Sequence, residues 1–267
     1  MTFRPDISER LARARTDLRL GLAIVIDGPE PALVLAAETL TQVRFEDLLK
    51  LDARPVLAIT ARRAETLKAR VYDGDMARIS LPPDATPTWV HAIANPEDDL
   101  HAPMKGPLNC IRGGATDAHR AALQIIKSAR LLPAALVVDL PQGNDFARDH
   151  GLTALPIEEL RHALTSNPTL HPVVSAKLPM QVSTQGRLHV FRPDDGGEEH
   201  YAIEIGRPDR AVPVLARLHS ACFTGDLLGS LKCDCGPQLR AAMQRMGAEG
   251  SGVLLYMNQE GRGIGLA

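Results

Sequence analysis

Short, uninterrupted apolar runs separated by helical patterns constrain this chain most. Leu22 to Ile26, Leu33 to Ala37, Pro55 to Thr60 and Ala134 to Leu140 show no polar alternation and are too short for independent helices, which is the pattern of strands buried on both faces. Between them, residues 7–20 place apolar side chains at 7, 11, 14, 18 and 20, with Asp6 or Ser8 available as cap. Residues 115–130 place them at 118, 121, 122, 125, 126 and 129; both spacings are helical. Further short helices are expected at 44–50, 61–69, 146–150 and 157–164. Alternating elements of this kind predict an α/β (α+β) fold with a mixed sheet. Residues 81–108 carry prolines at 82, 83, 87, 96, 103 and 107 and are expected to be mostly loop.

A polar, proline-bearing stretch from Thr165 to Pro172 divides the chain into domains at 1–170 and 173–267. Beyond it the texture changes. Residues 179–191, 199–205 and 212–219 read as strands, with a turn at Asp194 to Gly197 between the first two. A helix is expected at 239–246 and a buried strand at 252–256. The glycine-rich residues 261–267 follow that strand directly, so the expectation is that a further piece of the domain follows them.

Composition narrows the function classes. Hydrophobic residues are 45% and charged residues 23% of the chain, a globular balance rather than a disordered one. The net charge of −2, with 30 basic residues dispersed along the sequence, gives no footprint for nucleic acid. No run approaches the length of a membrane helix, and the start lacks a signal-peptide core. With 3% aromatics, a platform built from many rings is not expected. Few cysteines in a chain of this kind point to a reducing cytoplasm.

Three of the four cysteines, Cys222, Cys233 and Cys235, fall within fourteen residues. A Cys-x-Cys pair and a third thiol upstream can converge on one tetrahedral ion if Thr224-Gly225-Asp226 makes a turn. Three protein ligands with an open fourth position is the catalytic zinc pattern. Buried small side chains and a redox pair are the other readings of the same spacing. His219 stands three residues before Cys222, and spacing alone allows it as a fourth ligand.

These residues sit in three stretches: Arg217-Leu-His-Ser-Ala-Cys-Phe-Thr-Gly-Asp226, Ser230-Leu-Lys-Cys-Asp-Cys-Gly-Pro-Gln-Leu239 and Leu255-Tyr-Met-Asn-Gln-Glu-Gly-Arg-Gly-Ile-Gly-Leu266. In order and spacing they resemble GTP cyclohydrolase II, the first committed enzyme of riboflavin synthesis, over roughly residues 175–267. The resemblance implies that Cys222, Cys233 and Cys235 hold Zn²⁺ with water in the fourth position, leaving His219 outside the first shell. It implies attack of a hydroxide on the guanine C8, ring opening, and release of formate and pyrophosphate. Contacts to GTP are implied for Arg217, Leu218, His219, Ser220, Ala221, Gln238, Glu260, Gly261 and Arg262. Guanidinium forks suit phosphate oxygens, Glu260 suits the guanine N1–H and amino group, and Gly261 permits close backbone approach. Mg²⁺ with the triphosphate and a homodimer are implied as well. The chain departs from the family in carrying Ala221 where a glutamate is usual. The family's proton acceptor, arginine nucleophile and ring-proximal tyrosine match positions past Ala267, so no catalytic residue is assigned here, and the expectation for these 267 residues is zinc binding with little turnover.

The first half carries a weaker likeness. Ala23 to Asp27, Ala36 to Thr41, Ala58 to Thr60, Arg112 to Ala118 and Leu132 to Leu140 resemble 3,4-dihydroxy-2-butanone-4-phosphate synthase. That family needs an acidic loop and a histidine for Mg²⁺. Here the loop is Gly28 to Ala32, the histidine position is Ala115, and Glu30 and Asp117 are isolated acids. A hard cation needs several oxygen ligands, so a catalytically inert domain is expected. Cys110 stands outside the cluster and reads as an ordinary thiol.

Overall fold

Helix α1 (Ile7–Arg19) begins at Asp6, whose carboxylate accepts from the Glu9 N–H while the Glu9 side chain accepts from the Asp6 N–H. This reciprocal capping box satisfies two of the helix's orphan donors. The computed structural model describes residues 3–165 and 168–259, which divide into two compact units.

In the first unit follow β1 (Ile24–Asp27), β2 (Ala32–Ala36), α2 (Gln42–Leu49), β3 (Val56–Thr60), α3 (Ala61–Thr66), β4 (Met76–Ser80), α4 (Pro87–Ala94), α5 (Asp117–Ser128), β5 (Ala134–Asp139), α6 (Gly143–His150), β6 (Thr153–Pro156) and α7 (Ile157–Thr165). The strands form one mixed sheet in the order β4-β3-β5-β2-β1-β6. Only β1 with β6 is parallel among these pairs. Alternate strand residues feed two cores. Ile24, Ile26, Val34 and Val137 pack with Leu11, Leu18, Ile125, Ile126 and Leu160 of α1, α5 and α7. Val25, Leu33, Leu35, Leu57, Ile59 and Leu136 pack on the other side with Phe45, Leu48, Val90 and Ile93 of α2 and α4. The continuous apolar runs thus record helices on both faces of the sheet, not parallel strands.

Residues 81–108 are mostly loop, as their prolines predict, with one α-helix set among them: α4 starts at Pro87, and the Thr86 hydroxyl accepts from the Trp89 N–H. Proline fits this first helical position because its missing N–H would have had no partner there. Strand β4 escaped the pattern because Arg78 interrupts it. That side chain is buried, paired with Asp73 at 2.8 Å, and donates to the carbonyls of Gly113 and Ala115. A second buried cation, Arg63, donates to both oxygens of Asp99 and to the carbonyls of Ala92, Ile93 and Asn95. The Arg63 guanidinium, with Lys105 beside it, holds the Asp99 carboxyl down to about 2.

His119, on the buried face of α5, has no partner for Nε2 among the described residues. Burial first, then the Arg78 charge, push it down to about 4 against the opposing charges of Asp139 and Asp73. An unfolded histidine titrates near 6.5. Between these values the unfolded chain takes up a proton that the native chain refuses, so stability is fully present above about pH 6.5 and falls toward pH 4. The loss reaches about 3 kcal/mol. Trp89 is the only tryptophan, so urea unfolding followed by its emission reports this unit. The acid-side loss should flatten in His119→Leu; equal slopes in parent and variant would refute the assignment.

The second unit contains β7 (Leu170–Lys177), β8 (Arg187–Pro193), β9 (His200–Gly206), β10 (Ala216–Ser220), α8 (Phe223–Asp226), α9 (Cys235–Glu249) and β11 (Ser251–Met257). The sheet order is β10-β11-β9-β8-β7, with β10 and β11 parallel and the other pairs antiparallel. Strand β7 occupies part of the stretch expected as a linker, and residues 179–186 and 212–215 are not strand. A small core of Ile205, Met246 and Leu254 joins the sheet to α9. Among the described residues no helix is long and apolar enough to cross a membrane.

Candidate metal centre

Strand β10 delivers the chain to Cys222, which stands immediately before the single helical turn α8. The turn expected at Thr224-Gly225-Asp226 is therefore helical. Cys233 lies in the following loop, and Cys235 is the first residue of α9. The three sulfurs all lie within 4.8 Å of one another, and those of Cys222 and Cys233 are 3.8 Å apart. A tetrahedral ion with sulfur ligands at about 2.3 Å sets neighbouring sulfurs roughly 3.8 Å apart. Among the described residues this is the one group of three or more Cys, His, Asp or Glu side chains close enough to share an ion.

The floor of the group is Gly225. A Cβ there would stand 2.7 Å from Cys233 Sγ, 3.0 Å from Cys235 Cβ and 3.2 Å from Cys222 Sγ. Helix α9 approaches equally closely, since a Cβ on Gly236 would meet the Gly225 carbonyl oxygen at 2.1 Å. The Thr224 hydroxyl and the Gly225 N–H hold Cys222 below the ordinary thiol range. Cys235 is pushed up to about 11 by its hydrogen bond to Cys222, by burial and by the neighbouring sulfurs. Without a cation, ionisation of Cys222 thus opposes that of Cys235. A divalent cation would reverse that, because its charge outweighs the repulsion, so the donor set and the cradle fit zinc.

The sequence-expected neighbours separate by strand alternation. Arg217 and His219 lie on the α9 side, opposite Leu254 and Tyr256 of β11. Leu218 and Ser220 lie on the other face, where Leu218 is 67% exposed. Arg217 donates to Gln238 Oε1 at 2.7 Å, and Gln238 donates to Asp234 Oδ2 at 2.6 Å. This chain of bonds links β10 to the residue between Cys233 and Cys235. Arg217 Nε is buried and has no partner among the described residues. Ala221 is tied by its N–H to the Met257 carbonyl. His219 is buried, and its Nε2 lies 3.0 Å from an Asp226 oxygen, so the fourth-ligand role that spacing allowed does not arise. Glu260, Gly261 and Arg262 lie outside the described residues. Asp226 and Tyr256 were not singled out from sequence. The available signal was an acid four residues after Cys222, the distance at which a helical turn brings a side chain back to its start.

A sequence profile described as GTP cyclohydrolase II matches residues 171–267. A GTP cyclohydrolase-2 from Azospirillum brasilense is 39% identical, the match covering 95% of this chain and 68% of that protein. The riboflavin biosynthesis protein RibBA of Phocaeicola vulgatus is 32% identical over 96% of this chain and 73% of its own length. Among solved structures, RibBX, a two-domain 3,4-dihydroxy-2-butanone 4-phosphate synthase from A. baumannii, aligns with a TM-score of 0.44 at 16% identity, covering 94% of this chain and 82% of that one.

Proposed function

The chain belongs to the GTP cyclohydrolase II family, and from that premise we propose that it is the hydrolase of riboflavin biosynthesis that opens the guanine imidazole ring of GTP, releasing formate and pyrophosphate. The observation that carries this is the sulfur triangle of Cys222, Cys233 and Cys235, with its 3.8 Å edge over a glycine floor. Zinc, when bound there, supplies Lewis acidity and activates water near neutral pH.

The chain's own residues supply orientation. The unpartnered Nε of Arg217 is a donor left over for a phosphate oxygen, while the same guanidinium is steadied by Gln238. Glu260, Gly261 and Arg262 complete the GTP contacts in this reading, with Mg²⁺ accompanying the triphosphate and a homodimer as the working assembly. Residues 1–170 serve as an inert 3,4-dihydroxy-2-butanone-4-phosphate synthase-like scaffold. Two observations support this: Asp117 pairs with Arg161 at 2.7 Å on the surface, and Ala115, with no side-chain ligand to offer, gives its carbonyl to Arg78.

The test is zinc content together with formate release from GTP by the full-length gene product. One zinc per chain with stoichiometric formate and pyrophosphate is the expected result. Zinc without formate would overturn the hydrolase reading in favour of a zinc- and nucleotide-binding scaffold.

A further inference from the structure

Asp226 lies seven residues from His219 and thirty from Tyr256, yet all three meet beside Cys222. Its carboxylate, only 7% exposed, accepts from three donors: the Cys222 N–H at 3.0 Å, His219 Nε2 at 3.0 Å and the Tyr256 hydroxyl at 2.9 Å. The Asp226 N–H in turn donates to the Cys222 carbonyl at 2.7 Å. The α8 turn is therefore closed twice onto the same residue, once by main chain and once by side chain. His219 and Tyr256 are register partners on β10 and β11, with rings stacked at a centroid distance of 5.5 Å. They hold the carboxylate against the parallel pair β10 and β11.

We propose that Asp226, fixed by His219 and Tyr256, is a positioning residue that sets the direction of the Cys222 thiolate toward the metal. A carboxylate this buried needs several donors to remain there. The donor it holds most locally is the peptide N–H of the first sulfur ligand. Fixing that peptide fixes the Cα–Cβ vector of Cys222, and with it one edge of the sulfur triangle. Groups that orient a ligand in this way, without touching the metal, typically carry about tenfold to a hundredfold of metal affinity. His219 in this arrangement is turned inward as part of the support.

The inference rests on the zinc reading above, and the experiment separates the two. The full-length parent, Asp226→Asn and Tyr256→Phe are titrated with zinc in competition with a chromogenic chelator, and each is loaded with Co²⁺ for absorption spectroscopy. Asp226→Asn, which keeps shape but turns one acceptor oxygen into a donor, should bind zinc about tenfold to a hundredfold more weakly and shift the Co²⁺ thiolate bands at an unchanged melting temperature. Tyr256→Phe, which removes one donor of three, should lose about fivefold with a smaller shift in the same direction. Parent-like zinc affinity and Co²⁺ spectrum in both variants would overturn the positioning role while leaving the zinc site standing. A parent that takes up no zinc would overturn both. Should Asp226→Asn fail to fold, Tyr256→Phe decides: weakened binding supports the proposal and unchanged binding refutes it.

Discussion

Replacing Cys233 by serine should leave less than about a tenth of an equivalent of zinc on the full-length gene product and lower formate release from GTP by about a thousandfold or more. Metal catalysis contributes several kcal/mol of barrier lowering, and about 4 kcal/mol corresponds to that factor. A serine hydroxyl is nearly the same size as the thiol but does not ionise near neutral pH and is a hard ligand where the site offers soft ones. Two sulfurs then remain, and the partner 3.8 Å from Cys222 is gone. The fold should hold, because Cys233 sits in a loop outside the core of Ile205, Met246 and Leu254. Cys110→Ser is the matched control: that thiol lies in the first unit, packed beside the β3 and β4 core, and its loss should leave zinc and formate at parental levels. Stoichiometric zinc in Cys233→Ser would remove this residue from the ligand set.

What could be read in advance follows from where the physical signal is local. The runs at 22–26, 33–37, 55–60 and 134–140 became β1, β2, β3 and β5 within one or two residues at each end, because burial on both faces leaves no polar position to confuse the pattern. The cysteines were legible because sulfur is scarce here and its spacing matches a coordination geometry. Strand β4 was not legible: Arg78 looks like a surface charge until Asp73 and two distant carbonyls are seen to satisfy it. Strand β7 was missed for the opposite reason, since all eight of its residues are exposed and nothing in its sequence marks a buried side. His219 shows the limit most directly. Sequence places it three residues from a ligand, but which way it faces depends on strand register with Tyr256 and on a carboxylate seven residues on. Both are tertiary facts.

The second large effect is expected from one added methyl group. Gly225→Ala should weaken zinc binding by about a hundredfold although no ligand is altered. The new Cβ would come 2.7 Å from Cys233 Sγ and 3.2 Å from Cys222 Sγ, both inside van der Waals contact, and Cys235 Cβ at 3.0 Å blocks relief toward α9. Something must shift, and overpacking of this kind costs roughly 1 to 3 kcal/mol. The loop that carries the sulfurs gives way more readily than the sheet, so the sulfur triangle opens and affinity falls by about a hundredfold, the upper end for disturbing the support of a metal site. Gly229→Ala separates this from a general intolerance of the loop. At φ +65° it is strained for any residue with a side chain, but nothing lies within 4 Å of its Cβ position. That strain is worth about 1 kcal/mol, and zinc should be retained. Zinc titration and thermal unfolding of both variants make the comparison. Equal zinc loss in the two would mean that loop conformation, and not contact with the sulfurs, is what glycine provides at 225, and the close-packed floor assigned to the site would have to be given up.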